Sequence, residues 1–489
     1  MILRLGFAAI ALCLTLAGAG AQGIHEGAEC MVSPTGYATR CGYVTLPQDY
    51  NKPRAGNVEI FYTLIQSRNS EPKPDPLVYL VGGPGSSGTQ LLDTSFRKYL
   101  RAFAGDRNII VIDQRGTGLS NPPLYCREAL FRLDEILQSH HADHAELMLE
   151  ILTDCHSRLS DKRVQFAAFH SENNARDIVN VLLALGYEKW NLVGVSYGSR
   201  LALALMRDYP QHLRSVILDS VYPPQADIYL DSYYNGERAL SLLFAACEAS
   251  ESCNRRYPDL EDVFYKLYER LNHEPALATI TPPRYKQLNI EISGYRLYDW
   301  TFSWLYEVDS IQLIPRLIYD LAQGRSQDAA RAGMTVEASM TALSLGMHYT
   351  VQCQEEYGSA PNRDYAGMLS RFPHLSGFLR YPVEGTETLG RLCEIFRAEA
   401  RPPLANSPVH SSVPALLLSG NYDPITPPSY AEQAEETLVA AFSYILPHIG
   451  HGVLRSHRCA VRIALAFIDE PLEEPDSSCL ASIRAIEFD

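Results

Sequence analysis

Residues 191–200 read NLVGVSYGSR and place one serine between two glycines, where an apolar run gives way to a helical pattern. The pentapeptide at 194–198, GVSYG, fits G-x-S-x-G, whose small residues allow a tight, strained turn between a strand and a helix. Such a turn lifts the hydroxyl out of a sheet and directs the helix amino terminus at developing negative charge. The stretch predicts that Ser196 is a nucleophile; the alternative is an ordinary turn serine.

Apolar runs on both sides of this stretch lack alternation, which is typical of strands buried on both faces of a parallel sheet. Helical patterns separate several of them, including 173–187 and 199–210. Strand and helix alternating along a chain predict an α/β fold with a mostly parallel central sheet. The predicted strands lie at 58–65, 76–83, 108–116, 190–196, 215–221, 413–420 and 442–447.

The alternation of predicted strands and helices stops after Asp219. Residues 225–405 are rich in helical patterns and tyrosines, and strand-like runs return only at Val413. We predict a mainly helical cap over the carboxyl ends of the strands, where open α/β sheets bind ligands. Residues 22–224 and 406–489 then form the two parts of the core.

The first 21 residues are predicted to be a secretory signal peptide. Arg4 is followed by a short apolar stretch and by Ala-Gly-Ala at 19–21, which fits the small-residue rule for cleavage. The alternative is an uncleaved membrane anchor. No later stretch reaches the roughly 18 apolar residues that a membrane helix requires. We therefore expect export, with no membrane contact after cleavage.

Charge and cysteine content narrow the function further. The chain of 489 residues has a formal net charge of −15, which argues against nucleic-acid binding through phosphates. Of 11 cysteines, Cys13 lies in the signal, and the even number that remains in an exported chain suggests disulfides. Sequence alone does not fix the pairing. Nearness favours Cys30–Cys41, Cys126–Cys155, Cys247–Cys253, Cys353–Cys393 and Cys459–Cys479.

A serine hydroxyl needs a base, and in this architecture the base follows the last strand with an acid before it. His451 lies between two glycines just past the predicted strand at 442–447, and His448 is the alternative. Asp423 follows the preceding strand and would hold the imidazole tautomer. The rival acid is Asp219, which could equally be a helix cap or an ion-pair partner.

An oxyanion needs two backbone donors. The N–H of Tyr197, directly after the serine, is one candidate. The glycine-rich loop at 82–88, GGPGSSG, offers the N–H of Gly83 as the other. A phosphate-binding loop is the competing interpretation, but no G-K-[ST] follows.

Together these residues make the chain resemble the proline iminopeptidase and tripeptidyl aminopeptidase-like branch of the α/β-hydrolases. The segments that carry the resemblance are GGPGSSG (82–88), DQRGTGLS (113–120), NLVGVSYGSRLAL (191–203), GNYDPITPP (420–428) and GHG (450–452). Cytosolic members usually have His before the paired glycines; Val81 stands here, as in the secreted, tripeptidyl-type members. The resemblance implies an exopeptidase that removes N-terminal residues from short peptides.

The resemblance also implies cap carboxylates that bind the substrate's free amine. Glu355 and Glu356, beside Cys353, are the candidates; the alternative is a solvated surface pair. We interpret Asp113 and Arg115 as a structural ion pair or turn near the site. The histidines of HHADH (140–144) could share a helix face, but no further ligands complete a metal site, and we expect neither metal nor cofactor.

Three functional hypotheses follow. The first is an exported serine aminopeptidase acting through Ser196, Asp423 and His451, with a peptide as its substrate. The second is an esterase or lipase that uses the same triad and would favour an apolar cap without paired acids. The third is a non-catalytic binding protein on the same scaffold, although such a protein would be expected to have lost a member of the triad.

Overall fold

A computed structural model describes residues 23–281, 287–340, 342–357, 363–377, 386–396 and 401–489. The predicted signal peptide at residues 1–21 lies outside this range. None of the described helices is both long enough and apolar enough to span a bilayer.

Most of the described strands belong to one mixed sheet. In chain order the strands are β1 (Gly23–Ala28), β2 (Thr39–Pro47), β3 (Asn57–Ile65), β4 (Leu77–Leu80), β5 (Ile109–Ile112), β6 (Trp190–Val195), β7 (Leu213–Asp219), β8 (Ala276–Ile280), β9 (Leu288–Ile292), β10 (Ala415–Gly420) and β11 (Ala441–Leu446). The sheet order is β1-β2-β3-β5-β4-β6-β7-β10-β11. The pairs β1–β2, β2–β3 and β3–β5 are antiparallel, and the remaining pairs are parallel.

The parallel strands confirm the pattern expected from the sequence. Every residue of β4, β5 and β10 is buried, because helices cover both faces of the sheet. Parallel strands also end at the same edge. The loops that follow β4, β6, β10 and β11 carry Gly83, Ser196, Asp423 and His451, so the candidate residues gather at one edge.

Helices make up most of the remaining described structure. The α-helices are α1 (Gly88–Ser95), α2 (Arg101–Phe103), α3 (Arg127–Phe131), α4 (Leu133–Gln138), α5 (His141–Asp161), α6 (Ser171–Ala184), α7 (Tyr197–Asp208), α8 (Ile228–Ala249), α9 (Glu251–Arg256), α10 (Leu260–His273), α11 (Gly294–Trp304), α12 (Val308–Ile311), α13 (Ile314–Ala322), α14 (Ser326–Met340), α15 (Leu345–Val351), α16 (Tyr365–Arg371), α17 (Thr386–Phe396), α18 (Pro428–Glu435), α19 (Val453–Ser456) and α20 (Arg458–Asp469). Two segments, Phe96–Leu100 and Gln352–Tyr357, are π-helical.

Three groups of buried side chains hold these layers together. One lies on the sheet face covered by α5, α6 and α7, and a second lies on the opposite face under α20 and the segment 96–104. The third lies inside the cap, where residues of α8, α10, α11 and α13 pack together. The cap therefore has its own hydrophobic core.

The cap differs from the sequence prediction in one respect. The strands β8 and β9 pair antiparallel within it, so strand structure returns well before Val413. The sequence of β9, LNIEI, alternates apolar and polar residues, and its burial alternates in the same way. That alternation was the available signal for a half-buried strand, but each run has only five residues.

The five predicted disulfides are confirmed. Bonds join Cys30 to Cys41, Cys126 to Cys155, Cys247 to Cys253, Cys353 to Cys393 and Cys459 to Cys479. Disulfides of this number are typical of proteins in oxidising compartments, which points to a location outside the cytoplasm.

Candidate active site

Ser196 lies on a strained turn between β6 and α7. Its φ is 58° and its ψ is −125°, a conformation that non-glycine residues rarely adopt. A Cβ at Gly194 would lie 2.3 Å from the carbonyl oxygen of Gly198, and one at Gly198 would lie 2.2 Å from that of Leu80. Only glycine fits at either position, which explains the G-x-S-x-G spacing. The Ser196 N–H donates to the Asp219 carbonyl at 3.0 Å.

Asp423 and His451 are brought together, although 28 positions separate them in the chain. His451 Nδ1 lies 2.8 Å from Asp423 Oδ2, and both side chains are buried. The carboxylate also accepts hydrogen bonds from the Ile425 N–H, the Thr426 N–H and the Thr426 hydroxyl. Burial works to raise the pKa of Asp423, but the imidazole and these donors outweigh it and hold the pKa below its ordinary value. Thr426 is a member of this site that the sequence analysis missed.

Ser196 and His451 line the same cavity, which has a volume of about 970 Å³. No hydrogen bond joins their side chains in the described structure, so their proximity rests on this shared cavity. Catalytic hydrogen bonds are often long in unliganded enzymes and tighten when substrate binds. Because His451 Nδ1 is hydrogen-bonded to Asp423, Nε2 is the ring nitrogen that can accept the proton of the serine hydroxyl.

The predicted oxyanion donors adjoin the serine. Gly82 lies so close that its Cβ would be 2.8 Å from Ser196 Cβ, and both Gly82 and Gly83 line the cavity. Tyr197 is the first residue of α7, and the first N–H groups of a helix have no partner within it. Backbone donors on both sides of the hydroxyl are therefore available to an oxyanion.

Asp113 and Arg115 have structural roles, but they do not pair with each other. Asp113 accepts hydrogen bonds from the Ser87 hydroxyl and the Thr89 N–H, and so fixes the segment that follows the glycine loop. Burial raises the pKa of this carboxyl. Arg115 instead forms a two-pronged ion pair with Asp177, at 2.7 and 2.8 Å.

The two rival residues occupy other positions. The N–H of His448 donates to Asn421 Oδ1, and its ring lies 6.4 Å from that of Tyr422. Asp219 accepts from the N–H groups of Val453 and Leu454, which makes it a cap for α19. Neither side chain is hydrogen-bonded to His451 in the described structure.

The expectation that Glu355 and Glu356 bind a substrate amine needs correction. Both carboxylates are buried, and both pair with Arg200 of α7, at 3.4 and 3.2 Å. Glu355 also accepts from the N–H and the hydroxyl of Ser171. Neither glutamate is among the described residues that line the cavity. They are neither a solvated pair nor acids of this cavity, because both are buried against Arg200, which lies 155 positions before Glu355.

The cap supplies much of the cavity wall, including tyrosines that the sequence analysis could not assign. Tyr306 is the closest to the proposed base: its carbonyl accepts the His451 N–H at 3.0 Å, and its ring lies 4.7 Å from the imidazole. Three cap acids also line the cavity, namely Glu291, Asp299 and Glu307. The cap therefore directly contacts the loop after β11 that carries His451 (the histidine loop), and it places carboxylates in the wall of the same cavity.

Two histidines of the 140–144 segment, His140 and His144, are hydrogen-bonded to protein groups; the side chain of His141 lies outside the described residues. His140 is hydrogen-bonded to Glu291, and His144 Nδ1 lies 3.0 Å from the Ser139 hydroxyl. Burial, with a smaller effect of Arg296, lowers the pKa of His144 to about 4. Within the described residues, no cluster of three or more His, Cys, Asp or Glu side chains forms a metal-ligand set.

Comparison with known proteins places two parts of the chain in known families. A family profile described as the alpha/beta hydrolase fold matches residues 75–240, and one described as TAP-like protein matches residues 381–479. The first segment contains the glycine loop and the Ser196 turn. The second contains Asp423 and His451.

Characterised relatives share moderate identity over part of their length. Tripeptidyl aminopeptidase of Streptomyces coelicolor is 29% identical over 202 residues, which are 38% of this chain and 36% of that protein. Serine protease Hip1 of Mycobacterium tuberculosis is 29% identical over 193 residues, with the same two shares. Proline iminopeptidase of Lactobacillus helveticus is 28% identical over 170 residues, 33% of this chain and 40% of that protein.

The matched part thus spans less than half of each of these relatives, so the alignments establish kinship and leave the activity to be argued from the site. The resemblance inferred from the sequence is confirmed, as is the α/β-hydrolase fold. The chain has the α/β-hydrolase fold, and its sequence is similar to the proline iminopeptidase and tripeptidyl aminopeptidase-like branch of that superfamily.

Proposed function

We propose that the protein is an exported serine exopeptidase that removes N-terminal residues, in the proline or the tripeptidyl manner, from short peptides. The observation that carries the proposal is the buried Asp423–His451 pair, which opens on the cavity that Ser196 also lines. A buried carboxylate that fixes an imidazole, with a partly buried serine on a strained turn lining the same cavity, is the arrangement expected to activate a hydroxyl. The names of three relatives, two peptidases of defined N-terminal action and a serine protease, agree with it.

In this mechanism Ser196 Oγ attacks the substrate carbonyl while His451 Nε2 takes the hydroxyl proton. Asp423 holds the ring orientation and balances the imidazolium charge. The negative charge on the carbonyl oxygen is stabilised by the N–H groups of Tyr197 and Gly83. His451 then gives its proton to the leaving amine, and water, activated by the same imidazole, hydrolyses the acyl-enzyme.

Two features of the chain support the proposed export. The sequence pattern of residues 1–21 fits a cleavable signal, and the five disulfides require an oxidising compartment to form and persist. We place the protein in the periplasm or outside the cell.

The substrate class follows from the cavity. About 970 Å³ is at the large end of the range for small-ligand sites and has room for several residues of a peptide. Because Glu355 and Glu356 do not line the cavity, the acids proposed to attract a free amine are those of its wall: Glu291, Asp299 and Glu307. Of these, Glu291 also bonds His140 and Glu307 also pairs with Arg455. A binding role for nucleic acid stays unexpected for a chain with a formal net charge of −15.

An esterase is the second candidate, and one observation favours it. The paired glutamates expected for a substrate amine are not in the cavity, and aromatic cap residues such as Phe302, Trp304 and Tyr306 line it instead. Such a wall would suit an acyl chain as well as a peptide side chain.

Fluorophosphonate labelling tests the nucleophile. We expect the wild-type protein to label at one site and Ser196→Ala not to label, because the probe reacts only with an activated serine. Ser199→Ala, three residues along on α7, is the matched control and should still label. Labelling of Ser196→Ala at the wild-type level would refute the mechanism.

A substrate panel separates the two candidate functions. Aminoacyl- and tripeptidyl-nitroanilides, each with a free and with an acetylated N-terminus, are compared with acyl-nitrophenyl esters. The exopeptidase is expected to cleave the free anilides and to lose at least tenfold in kcat/KM on acetylation. Equal rates on free and acetylated anilides, or cleavage of acyl esters alone, would contradict it.

A further inference from the structure

The cap is fastened to the glycine loop at one point, just before α15. The Ser344 N–H donates to the Gly85 carbonyl at 2.9 Å, and the Ser344 hydroxyl donates to the Gly116 carbonyl at 2.7 Å. A Cβ at Gly85 would lie 2.8 Å from the Ser344 carbonyl oxygen and 3.5 Å from His348 Cβ. Because this contact leaves no space, the position of His348 relative to the loop is fixed.

The hydrogen bond of His348 decides its tautomer. Nδ1 lies 3.0 Å from the Pro84 carbonyl oxygen. Since a carbonyl can only accept, Nδ1 carries the proton, and in the neutral ring Nε2 then has a lone pair. Burial lowers the pKa of His348, which keeps the ring neutral near pH 7.

Among the described residues, the His348 side chain makes one hydrogen bond, through Nδ1, and none through Nε2. The side chain lines the cavity together with Gly82, Gly83 and Ser196. His348 therefore brings a hydrogen-bond acceptor to the cavity beside the loop that holds a proposed oxyanion donor.

We propose that His348 Nε2 accepts a hydrogen bond from the nitrogen of the substrate residue whose carbonyl Ser196 attacks. This inference rests on the proposed function. In the proposed pose the carbonyl oxygen lies at the N–H of Gly83, and the nitrogen two bonds from the carbonyl carbon is directed towards His348, which the next loop residue, Pro84, holds through its carbonyl. That nitrogen is an amine if one residue is removed per cut and a peptide amide if three are removed; both donate.

Matched substrates isolate this hydrogen bond. In the amide arm, a tripeptidyl anilide is compared with the depsipeptide in which an ester oxygen replaces the N–H of the third residue. In the amine arm, alanyl anilide is compared with propanoyl anilide, which lacks the amine. The measured quantity is the ratio of kcat/KM values within a pair. The His348 hydrogen bond is expected to contribute about three- to tenfold to that ratio, in favour of the nitrogen-bearing substrate, in one arm. The arm that shows this difference identifies whether the substrate's amine or its peptide amide donates the hydrogen bond to His348.

Three variants separate the two nitrogens of the ring. In His348→Asn the amide nitrogen can replace Nδ1 as the donor to Pro84, but nothing replaces Nε2. In His348→Gln the amide oxygen can reach the Nε2 position, while the bond to Pro84 is lost. His212→Asn is the matched control, because its Nδ1 likewise bonds a backbone carbonyl, that of Glu188 at 2.9 Å, far from the described cavity lining.

In the responding arm we expect the ratio to fall by about three- to tenfold in His348→Asn, to fall less in His348→Gln, and to stay at the wild-type value in His212→Asn. A wild-type ratio in His348→Asn, or a ratio of one in wild type in both arms, would overturn the inference while leaving the proposed function intact. Failure of His348→Asn to label with fluorophosphonate would mean that this variant has misfolded. The decision then rests on a His348→Gln protein that does label. Loss of the kcat/KM ratio in that protein would overturn the inference, and a ratio kept in part would support it. Cleavage of none of the substrates by wild type would overturn both proposals.

Discussion

Asp219 supports both loops of the candidate site. Its carbonyl accepts the N–H of Ser196. Its carboxylate accepts the N–H groups of Val453 and Leu454, at 2.8 and 3.0 Å, just after the histidine loop. One residue at the end of β7 thus holds the serine turn on one side and the histidine loop on the other.

The ionisation of Asp219 is expected to make stability depend on pH. Burial raises the pKa of this carboxyl to about 6, against an ordinary value of 3.8, although the two N–H donors oppose the rise. A carboxyl whose pKa is higher in the folded than in the unfolded protein favours folding while it is protonated. Its stabilising contribution is therefore complete below the unfolded-state pKa and is lost as pH rises through 6. Between pH 4 and pH 7 the wild type should lose on the order of 3 kcal/mol that Asp219→Asn does not lose.

Urea unfolding of both proteins across this pH range measures that difference. Asp423→Asn gives a contrast of opposite sign, because the pKa of Asp423 lies below its ordinary value and its contribution is lost as pH falls. If the free energies of unfolding of wild type and Asp219→Asn differ by the same amount at every pH, Asp219 does not titrate in this way.

The sequence predicted the residues whose roles depend on chain order and local turns. Ser196, Asp423 and His451 each follow a recognisable strand, so their meeting at one sheet edge could be inferred. The surroundings of Glu355 and Glu356 could not, because their partner Arg200 lies on α7, far away in the chain. Thr426 was missed because a threonine in a proline-rich loop has no distinctive signal.

At the scale of elements, a buried charge cluster joins the cap to the nucleophile helix. Arg200 on α7 is 2% exposed and pairs with both glutamates of the π-helical segment Gln352–Tyr357. The Tyr197 hydroxyl contacts the Ser171 hydroxyl at 2.8 Å, and that hydroxyl donates to Glu355. The ring of a proposed oxyanion residue is thus tied to the cap through two hydrogen bonds.

Arg200→Met is expected to destabilise the protein by about 3–5 kcal/mol, because it leaves two buried carboxylates without their cation. The free energy of unfolding in urea measures the effect. The control is Arg97→Met, which removes an exposed pair with Asp93 on one helix and should cost about 1 kcal/mol at most. Equal costs for the two variants would mean that the buried cluster contributes little.

Elements were predictable where their burial was complete. The inner parallel strands are continuous apolar runs because both faces are covered, and each was located to within a few residues. The parallel edge strand β11 was also located, although most of its residues are only partly buried. The edge strand β1, its neighbour β2 and the cap hairpin were missed because exposed or short strands contain polar residues and resemble loops. Their pairing depends on partners, such as β3, that only the folded chain provides.

At the scale of the whole molecule, disulfides constrain both the core and the cap. Cys353–Cys393 joins the π-helical segment to α17 and closes a loop of 40 positions, whereas Cys247–Cys253 joins α8 to α9 across 6. All four cysteines belong to the cap. The two bonds therefore form a matched pair that differs mainly in loop length.

Loop length is expected to set their contributions. A chain-entropy argument gives about 4 kcal/mol for the longer loop and about 2 kcal/mol for the shorter one. Replacing both cysteines of each bond by alanine and measuring the free energy of unfolding tests this order. A larger loss for the Cys247/Cys253 variant would show that native-state contacts, and not the unfolded chain, decide the effect.

The insertion of the cap between β7 and β10 has a consequence for biosynthesis. Ser196 leaves the ribosome early, but residues 220–414 must be made before β10, which pairs with β7. Asp423 and His451 are made later still. A nascent or prematurely terminated chain therefore lacks the groups that would activate its hydroxyl. The proposed peptidase activity would therefore not arise inside the cell before translation is nearly finished.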